Sequence, residues 1–323
     1  MESHMNTRLI GELSVSEVGM GCMAFSHGYG SIPPEQYSIE AIRGAYEHGC
    51  TFFDTAEIYS PGLSGIGHNE RIVGRALEEV RDDVVLATKL FTSGGRRGSV
   101  YGEIRSHLDA SLERLRTDYV DLYYLHRLGS TPVEQVAEAM GRLAQEGLIR
   151  GWGLSQVDVD VIRRAHGAYP LTAVQNIYSM VERDVEAEVL PYCEEHGIGL
   201  VAFSPVASGL LSGKVTESTE FESFDDVRTW VPQLSRRNLR GNRPIVELVR
   251  RYAGAKGATP AQISLAWMLH KSPCTVPIPG SKNKDRIIEN LDASRVKLTD
   301  AEFQALDAEL GTLRVHGHRG FRR

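Results

Sequence analysis

The sequence predicts an α/β fold: a closed eight-stranded (β/α)8 TIM barrel with an N-terminal β-hairpin and a long loop after strand seven. Three observations lead there. Short β-branched runs alternate with amphipathic stretches from end to end, which implies βαβ units and a parallel sheet. Several runs are apolar at consecutive positions, as in Thr51-Phe52-Phe53 and Val84-Val85-Leu86-Ala87, the pattern of strands buried on both faces. Eight such units in 323 residues fit one barrel domain, read as residues 5–323. An open doubly wound sheet is the alternative.

The elements follow in order. Thr7–Val15 reads as a hairpin turning at Gly11-Glu12. The strands are expected at Val18–Cys22, Thr51–Asp54, Val84–Thr88, Tyr119–Leu125, Arg150–Leu154, Ala173–Asn176, Leu200–Phe203 and Cys274–Ile278. Helical spacing of apolar residues marks Ser38–Glu47, Glu70–Glu79, Tyr101–Leu115, Pro132–Glu146, Asp158–His166, Val185–Glu194 and Asp285–Leu291. Thr131 reads as an N-cap with Pro132 at the first helical position. Residues 212–243, rich in charge and in Ser, Asp and Asn, read as a long irregular loop. Residues 1–4, ahead of a second methionine, are read as an expression remnant.

Composition narrows the function. Hydrophobic residues make up 41% and charged residues 24%, the balance of a soluble globular protein. The net charge is −6 and the pI about 6.0, without the basic excess of a nucleic-acid surface. Cys22, Cys50, Cys193 and Cys274 form no C-x-x-C pair, so neither a disulfide framework nor a zinc site is expected, and a reducing, cytoplasmic setting is. No apolar run reaches the length of a membrane span, and no signal pattern opens the chain.

The functional argument is positional, because barrel chemistry sits at the carboxyl ends of the strands. Strand two ends within Asp54-Thr55-Ala56-Glu57-Ile58-Tyr59, strand three on Lys89 and strand four on His126. Ionisable groups at the ends of three successive strands can partner one another, as buried charges must. A tyrosine titrates near about 10, and a neighbouring ammonium is expected to lower that value. Asp54 would hold Lys89 charged, and His126 could orient a carbonyl oxygen. The set is a proton donor beside a positive charge, suited to an oxyanion developing from C=O. It supplies no hydride, so a cofactor is required.

Asp54-Thr55-Ala56-Glu57-Ile58-Tyr59, Thr88-Lys89, Leu125-His126-Arg127, Gly153-Leu154-Ser155 and Ile278-Pro279-Gly280-Ser281 together resemble the aldo-keto reductase superfamily, over nearly the whole chain. Gly19-Met20-Gly21-Cys22-Met23 further resembles its bacterial, yeast and plant branch, which includes perakine-reductase-like enzymes. The resemblance implies NADPH-dependent reduction of aldehydes and ketones, with Asp54, Tyr59, Lys89 and His126 as catalytic tetrad. It places the NADP(H) nicotinamide at Ser155, Gln175 and Phe203 and the pyrophosphate at Ser204, Val206, Ser208, Leu210 and Lys214, with Gly21, Met23, Gln156 and Pro205 as further cofactor contacts. The adenosine 2′-phosphate falls to Gly280, Ser281, Lys282 and Arg286, with Glu289 and Asn290 near the adenine. A helix start flanked by Lys282 and Arg286 suits a phosphate on physical grounds as well. The substrate wall is expected from Met23, Phe25, Tyr29, Ile58, Phe91 and Trp230.

Two other readings share this barrel. One is a cofactor-sensing subunit of the potassium-channel β type. The other is an aldolase using Lys89 as a Schiff base, which would need a neutral lysine. Gly62-Leu63-Ser64-Gly65-Ile66-Gly67 follows no strand directly and reads as a rim of the mouth, not a phosphate loop. His316-Gly317-His318 reads as tail and Cys22 as a packed thiol; no metal is expected.

Overall fold

The computed structural model describes residues 5–62, 65–92, 98–221 and 226–319. The hairpin is β1 (Thr7–Ile10) and β2 (Leu13–Ser16), antiparallel, turning through Gly11 at φ 58°. Eight parallel strands follow: β3 (Met20–Gly21), β4 (Phe52–Asp54), β5 (Val85–Leu90), β6 (Val120–Leu125), β7 (Ile149–Ser155), β8 (Ala173–Ile177), β9 (Gly199–Phe203) and β10 (Thr275–Pro277). They pair in sequence order. The first and last meet through a parallel bridge between Gly21 and Gly280, and the Gly19 N–H donates to the Pro277 carbonyl at 2.9 Å. These contacts close the sheet into the expected barrel. A Cβ at Gly21 would lie 2.9 Å from the Ile278 carbonyl oxygen, so this seam requires a glycine.

The period of two along each strand builds both the core and the site. Phe52, Val85, Ala87, Leu122, Tyr124, Ala173, Val201, Val276 and Ile278 face inward and pack on one another. Ile10 and Val15 of the hairpin join this cluster, so the hairpin plugs the barrel. The alternate residues Phe53, Leu86, Tyr123, Leu154, Val174 and Leu200 face outward and pack with the helices. The inward parity carried two residues further gives Asp54 after Phe52, Lys89 after Ala87, His126 after Tyr124 and Gln175 after Ala173. Gly153 gives the inward layer room: a Cβ there would sit 2.5 Å from the Tyr124 ring and 2.7 Å from the Ala173 carbonyl oxygen.

The outer layer holds α1 (Glu35–Glu47), α2 (His68–Leu77), α3 (Val100–Leu115), α4 (Val133–Gln145), α5 (Val159–Ala168), α6 (Val189–His196), α7 (Arg236–Lys256), α8 (Pro260–Lys271), α9 (Lys284–Leu291) and α10 (Asp300–Thr312). Three expectations change. The long loop ends at Ser235, whose hydroxyl caps α7 by accepting from the Asn238 N–H. The arginine-rich first turns of α7 and its internal Pro244 conceal its periodicity in the sequence. Thr131 does not cap α4: the helix begins after Pro132, and the buried Thr131 hydroxyl has no hydrogen-bond partner among the described residues. The expected helix over Val185–Glu194 divides into a 3-10 turn at Asp184–Glu186 and α6. Residues 1–4, Leu63 and Ser64 of the expected rim, and residues 320–323 of the tail lie outside the described residues; 222–225 of the long loop do so as well.

His316 to Arg319 pack back onto the barrel. The His316 N–H donates to Asn242 Oδ1 at 2.8 Å, His318 pairs with Glu182 at 3.2 Å, and the Arg319 N–H donates to Glu182 Oε1 at 2.6 Å. Among the described residues no cluster of metal-ligating side chains occurs, and no helix is long and apolar enough to cross a membrane.

Candidate active site

Four polar side chains converge at the carboxyl end of the barrel. The Lys89 ammonium is fully buried and spends its three donors on Asp54 Oδ1, the Thr55 carbonyl oxygen at 2.8 Å and the Tyr59 hydroxyl at 3.5 Å. The other Asp54 oxygen accepts from the Gln175 amide at 2.8 Å. The His126 ring stands edge-on to Tyr59, with centroids 5.7 Å apart, and Phe91 lies against its other side at 4.7 Å. The expected tetrad therefore forms one cluster, with Gln175 attached to it through Asp54.

The electrostatics distinguish the members. Burial alone would lower the Lys89 ammonium, but Asp54 and Tyr59 outweigh it and hold it above the usual lysine range. Burial pushes the Asp54 carboxyl up, against Lys89 and Gln175, which pull it down. The Tyr59 phenol corrects the expectation: burial raises it above its ordinary value, and the charge on Lys89 offsets this only in part. Tyr59 is therefore a neutral acid across the neutral range. Burial pushes the His126 imidazole down to about 2, with Lys89 and Arg127 adding to the effect, so it is uncharged. A Schiff-base role for Lys89 has no support in a lysine held charged.

Polar groups that do not stand out in the sequence buttress this cluster. The Thr55 hydroxyl donates to Asn69 Oδ1 at 2.5 Å, and the buried Asn69 amide donates to the Cys22 carbonyl at 2.9 Å and the Ser26 hydroxyl at 2.8 Å. Behind Lys89, the Thr88 hydroxyl donates to the buried Glu70 at 2.6 Å, and Arg114 pairs with the other Glu70 oxygen at 2.6 Å. Asn69 and Glu70 read in sequence as ordinary helix-start residues; the available signal is two polar groups on the strand-facing side of α2. Arg127 stands out in sequence only as part of a motif. Its guanidinium donates to the His126 carbonyl at 2.8 Å and the Ser155 hydroxyl at 3.4 Å.

Further polar groups lie at the same end of the barrel. Ser155 and Gln175 lie side by side on paired strands, and the Gln156 N–H donates to the Gln175 carbonyl at 3.0 Å. Phe203 ends β9, and Ser204, Pro205, Val206, Ser208 and Leu210 form a tight path after it, with Leu210 and Pro205 buried. Gln156, Ser204, Ala207 and Ser208 have φ between 49° and 58°, and all four lie at this end of the barrel. Left-handed backbone in non-glycine residues concentrates at functional sites. Lys214 and Glu289 pair at 3.1 Å, and the Glu289 carbonyl accepts from Gln262 at 2.9 Å. Asn290 lies beside Glu289 in α9. The Ser281 hydroxyl accepts from the Asn283 N–H at 3.1 Å, and Arg286 is exposed one turn into α9. The Lys282 ammonium instead donates to the carbonyls of Tyr29 at 2.9 Å and Ser31 at 2.7 Å, tying the loop after β3 to the start of α9.

The expected substrate wall divides. Ile58, 40% exposed, and Trp230, 59% exposed, stand at the surface, and Phe91 packs on His126. Met23 is half-buried beside Gly28. The Tyr29 hydroxyl meets Ser208, and Arg228 lies over its ring at 5.4 Å. Phe25 is fully buried in the core, because the 3-10 turn Met23–Phe25 rotates it inward, so it backs the wall without facing it. Cys22 is buried and burial pushes its thiol up, consistent with packing.

A parallel eight-stranded barrel thus carries a buried Asp–Lys pair under a tyrosine at the carboxyl ends of its strands. Residues 17–310 match the Aldo/keto reductase family, and the chain belongs to it. A probable aldo-keto reductase 1 from Glycine max is 37% identical over 300 residues, spanning 90% of this chain and 84% of its own. The glycerol dehydrogenase structure from Gluconobacter oxydans superimposes with a TM-score of 0.82 at 28% identity, covering 94% of each chain. A Klebsiella pneumoniae aldo/keto reductase in complex with NADP and acetate gives a TM-score of 0.74 at 26% identity, covering 98% of this chain and 99% of its own.

Proposed function

We propose that this protein is an NADPH-dependent reductase of aldehydes and ketones. The observation that carries this reading is the Tyr59 hydroxyl, neutral and set on an ammonium that Asp54 keeps charged. The residues fit a dinucleotide: Ser155 and Gln175 suit a carboxamide, and because Asp54 takes the Gln175 amide nitrogen, the amide oxygen is the branch left for a second partner. Gln156, Phe203, Gly21 and Met23 would complete the nicotinamide end of the site. Ser204, Pro205, Val206, Ser208, Leu210 and Lys214 would follow the pyrophosphate. Gly280, Ser281, Lys282 and Arg286 would hold the 2′-phosphate, with Glu289 and Asn290 at the adenine. The relative solved with NADP supports the cofactor class.

When bound, the reduced nicotinamide supplies a hydride. The carbonyl oxygen sits between Tyr59 and His126. As negative charge develops on that oxygen it would take the Tyr59 proton, and Lys89 would stabilise the phenolate left behind. Neutral His126 orients the oxygen by hydrogen bonding and carries no charge of its own. Phe91, packed on His126, and Ile58 would flank the substrate.

The pH dependence of NADPH-driven aldehyde reduction tests this assignment. The acid form of Tyr59 is the active one and its pKa is raised, so the rate should stay level through the neutral range and fall only on the alkaline side. An inflection near pH 6.5, the ordinary histidine value, would contradict a His126 that is uncharged throughout.

Cofactor choice gives a second test. Lys282 already donates to two carbonyls, which leaves exposed Arg286 to carry most of the 2′-phosphate recognition. A charge-assisted contact contributes about 1.5–3 kcal/mol. Arg286→Ala should therefore weaken NADPH by about tenfold or more, measured by fluorescence titration, and leave NADH nearly untouched. The difference should shrink as salt rises. Equal loss for both dinucleotides would place Arg286 outside phosphate recognition.

A further inference from the structure

The charges at the barrel mouth do not balance. Asp54 is matched by Lys89, Glu57 by His107 at 2.8 Å and the Phe91 N–H at 2.9 Å, and Asp226 by Arg228 at 2.5 Å. Arg127 differs. Its hydrogen bonds go to two neutral oxygens, the His126 carbonyl and the Ser155 hydroxyl, and no carboxylate pairs with it among the described residues. Both oxygens lie at the carboxyl ends of adjacent strands, so the guanidinium is held over the mouth beside the His126 ring. Its charge is among those acting on the Tyr59 phenol. The residues that follow, Leu128-Gly129-Ser130-Thr131, bring no acid. A chain of net charge −6 thus presents an exposed cation at the place where a carbonyl compound would enter.

A guanidinium fixed by one edge still offers a planar pair of donors, the geometry that receives a carboxylate. We propose that Arg127 is a specificity-determining residue that anchors the carboxylate of an acidic carbonyl substrate, an oxo acid or formyl acid whose carbonyl oxygen meets Tyr59 and His126. The assignment rests on the carbonyl-reductase reading of the same site. The carboxylate is a handle remote from the reacting bond, and its binding orients the carbonyl.

A matched pair of probes tests it: 4-carboxybenzaldehyde and its methyl ester, reduced with NADPH by the whole protein. Wild type should prefer the acid. Arg127→Met should lower kcat/KM for the acid about 10–100-fold more than it lowers that for the ester, so that the wild-type preference is lost. Arg127→Lys should keep part of the preference, since it retains charge without the fork. Added salt should erode the wild-type preference. Equal losses for acid and ester, or a loss of NADPH affinity with discrimination unchanged, would overturn the assignment. Calorimetric binding of the corresponding alcohols, 4-(hydroxymethyl)benzoate and its methyl ester, to the NADP-bound protein gives a readout independent of turnover. If wild type reduces neither aldehyde, the carbonyl-reductase reading fails. Tighter binding of the benzoate that vanishes in Arg127→Met then still supports the anchor, and equal binding of both refutes it.

Discussion

Tyr59→Phe should lower single-turnover hydride transfer by about 10²–10⁴-fold, the usual contribution of a positioned general acid. NADPH affinity should stay close to wild type, because the lost hydroxyl bonds Lys89 in this structure and is proposed to serve the proton transfer and not the cofactor. The ring itself remains, so its packing against His126 is preserved and the fold should be unaffected. Stopped-flow NADPH oxidation with excess aldehyde reads the rate, and quenching of protein fluorescence reads the affinity. A variant within a few-fold of wild type would remove Tyr59 from the proton transfer.

Lys89→Met carries the second large effect, on activity and on stability together. The substitution leaves the Asp54 carboxyl buried with the Gln175 amide but without a cation. Breaking a buried pair by deleting one partner costs about 3–5 kcal/mol. In wild type, burial already raises Asp54 above its ordinary 3.8, and Lys89 is the larger of the groups opposing that rise. In the variant its folded-state pKa moves further above the unfolded value, which favours the protonated form in the fold. The variant should therefore be most stable below the ordinary carboxylate range and lose stability as pH rises from there through the raised pKa. Urea unfolding at pH 5 and pH 8 should show the deficit growing with pH. Adding Asp54→Asn to Lys89→Met should recover most of it, since the uncompensated charge is gone. Hydride transfer should remain low in both variants. A pH-independent deficit in Lys89→Met would mean that Asp54 does not depend on Lys89 for its charge.

Much of this site was legible because strand parity is rigid. Once Phe52, Ala87, Tyr124 and Ala173 are read as barrel-facing, Asp54, Lys89, His126 and Gln175 must share their face, and all eight strands appeared where the apolar runs placed them. The carboxyl-end rule then turns four scattered polar residues into one cluster. What the sequence concealed depends on longer-range packing. Helix α7 is masked by its charged first turns and Pro244, although its end is marked by Gly257 in the left-handed region. Thr131 has the chemistry of an N-cap, but the chain enters α4 along another path. The direction of the Tyr59 shift could not be read from a neighbouring lysine, because it depends on how deeply the ring is buried, and burial wins. Lys282 looks like a phosphate ligand beside Ser281, yet two backbone carbonyls 251 or more residues away in sequence already accept from it. Asn69 and Glu70 gain their importance from what α2 packs against, which spacing alone does not encode.

Turnover itself tests the central claim most directly. With NADPH in large excess over protein and an aromatic aldehyde present, the account predicts many equivalents of alcohol per protein molecule, formed one for one with NADPH consumed. At most one equivalent of NADPH oxidised per protein molecule, with no alcohol accumulating, would contradict it and would describe a cofactor-sensing barrel.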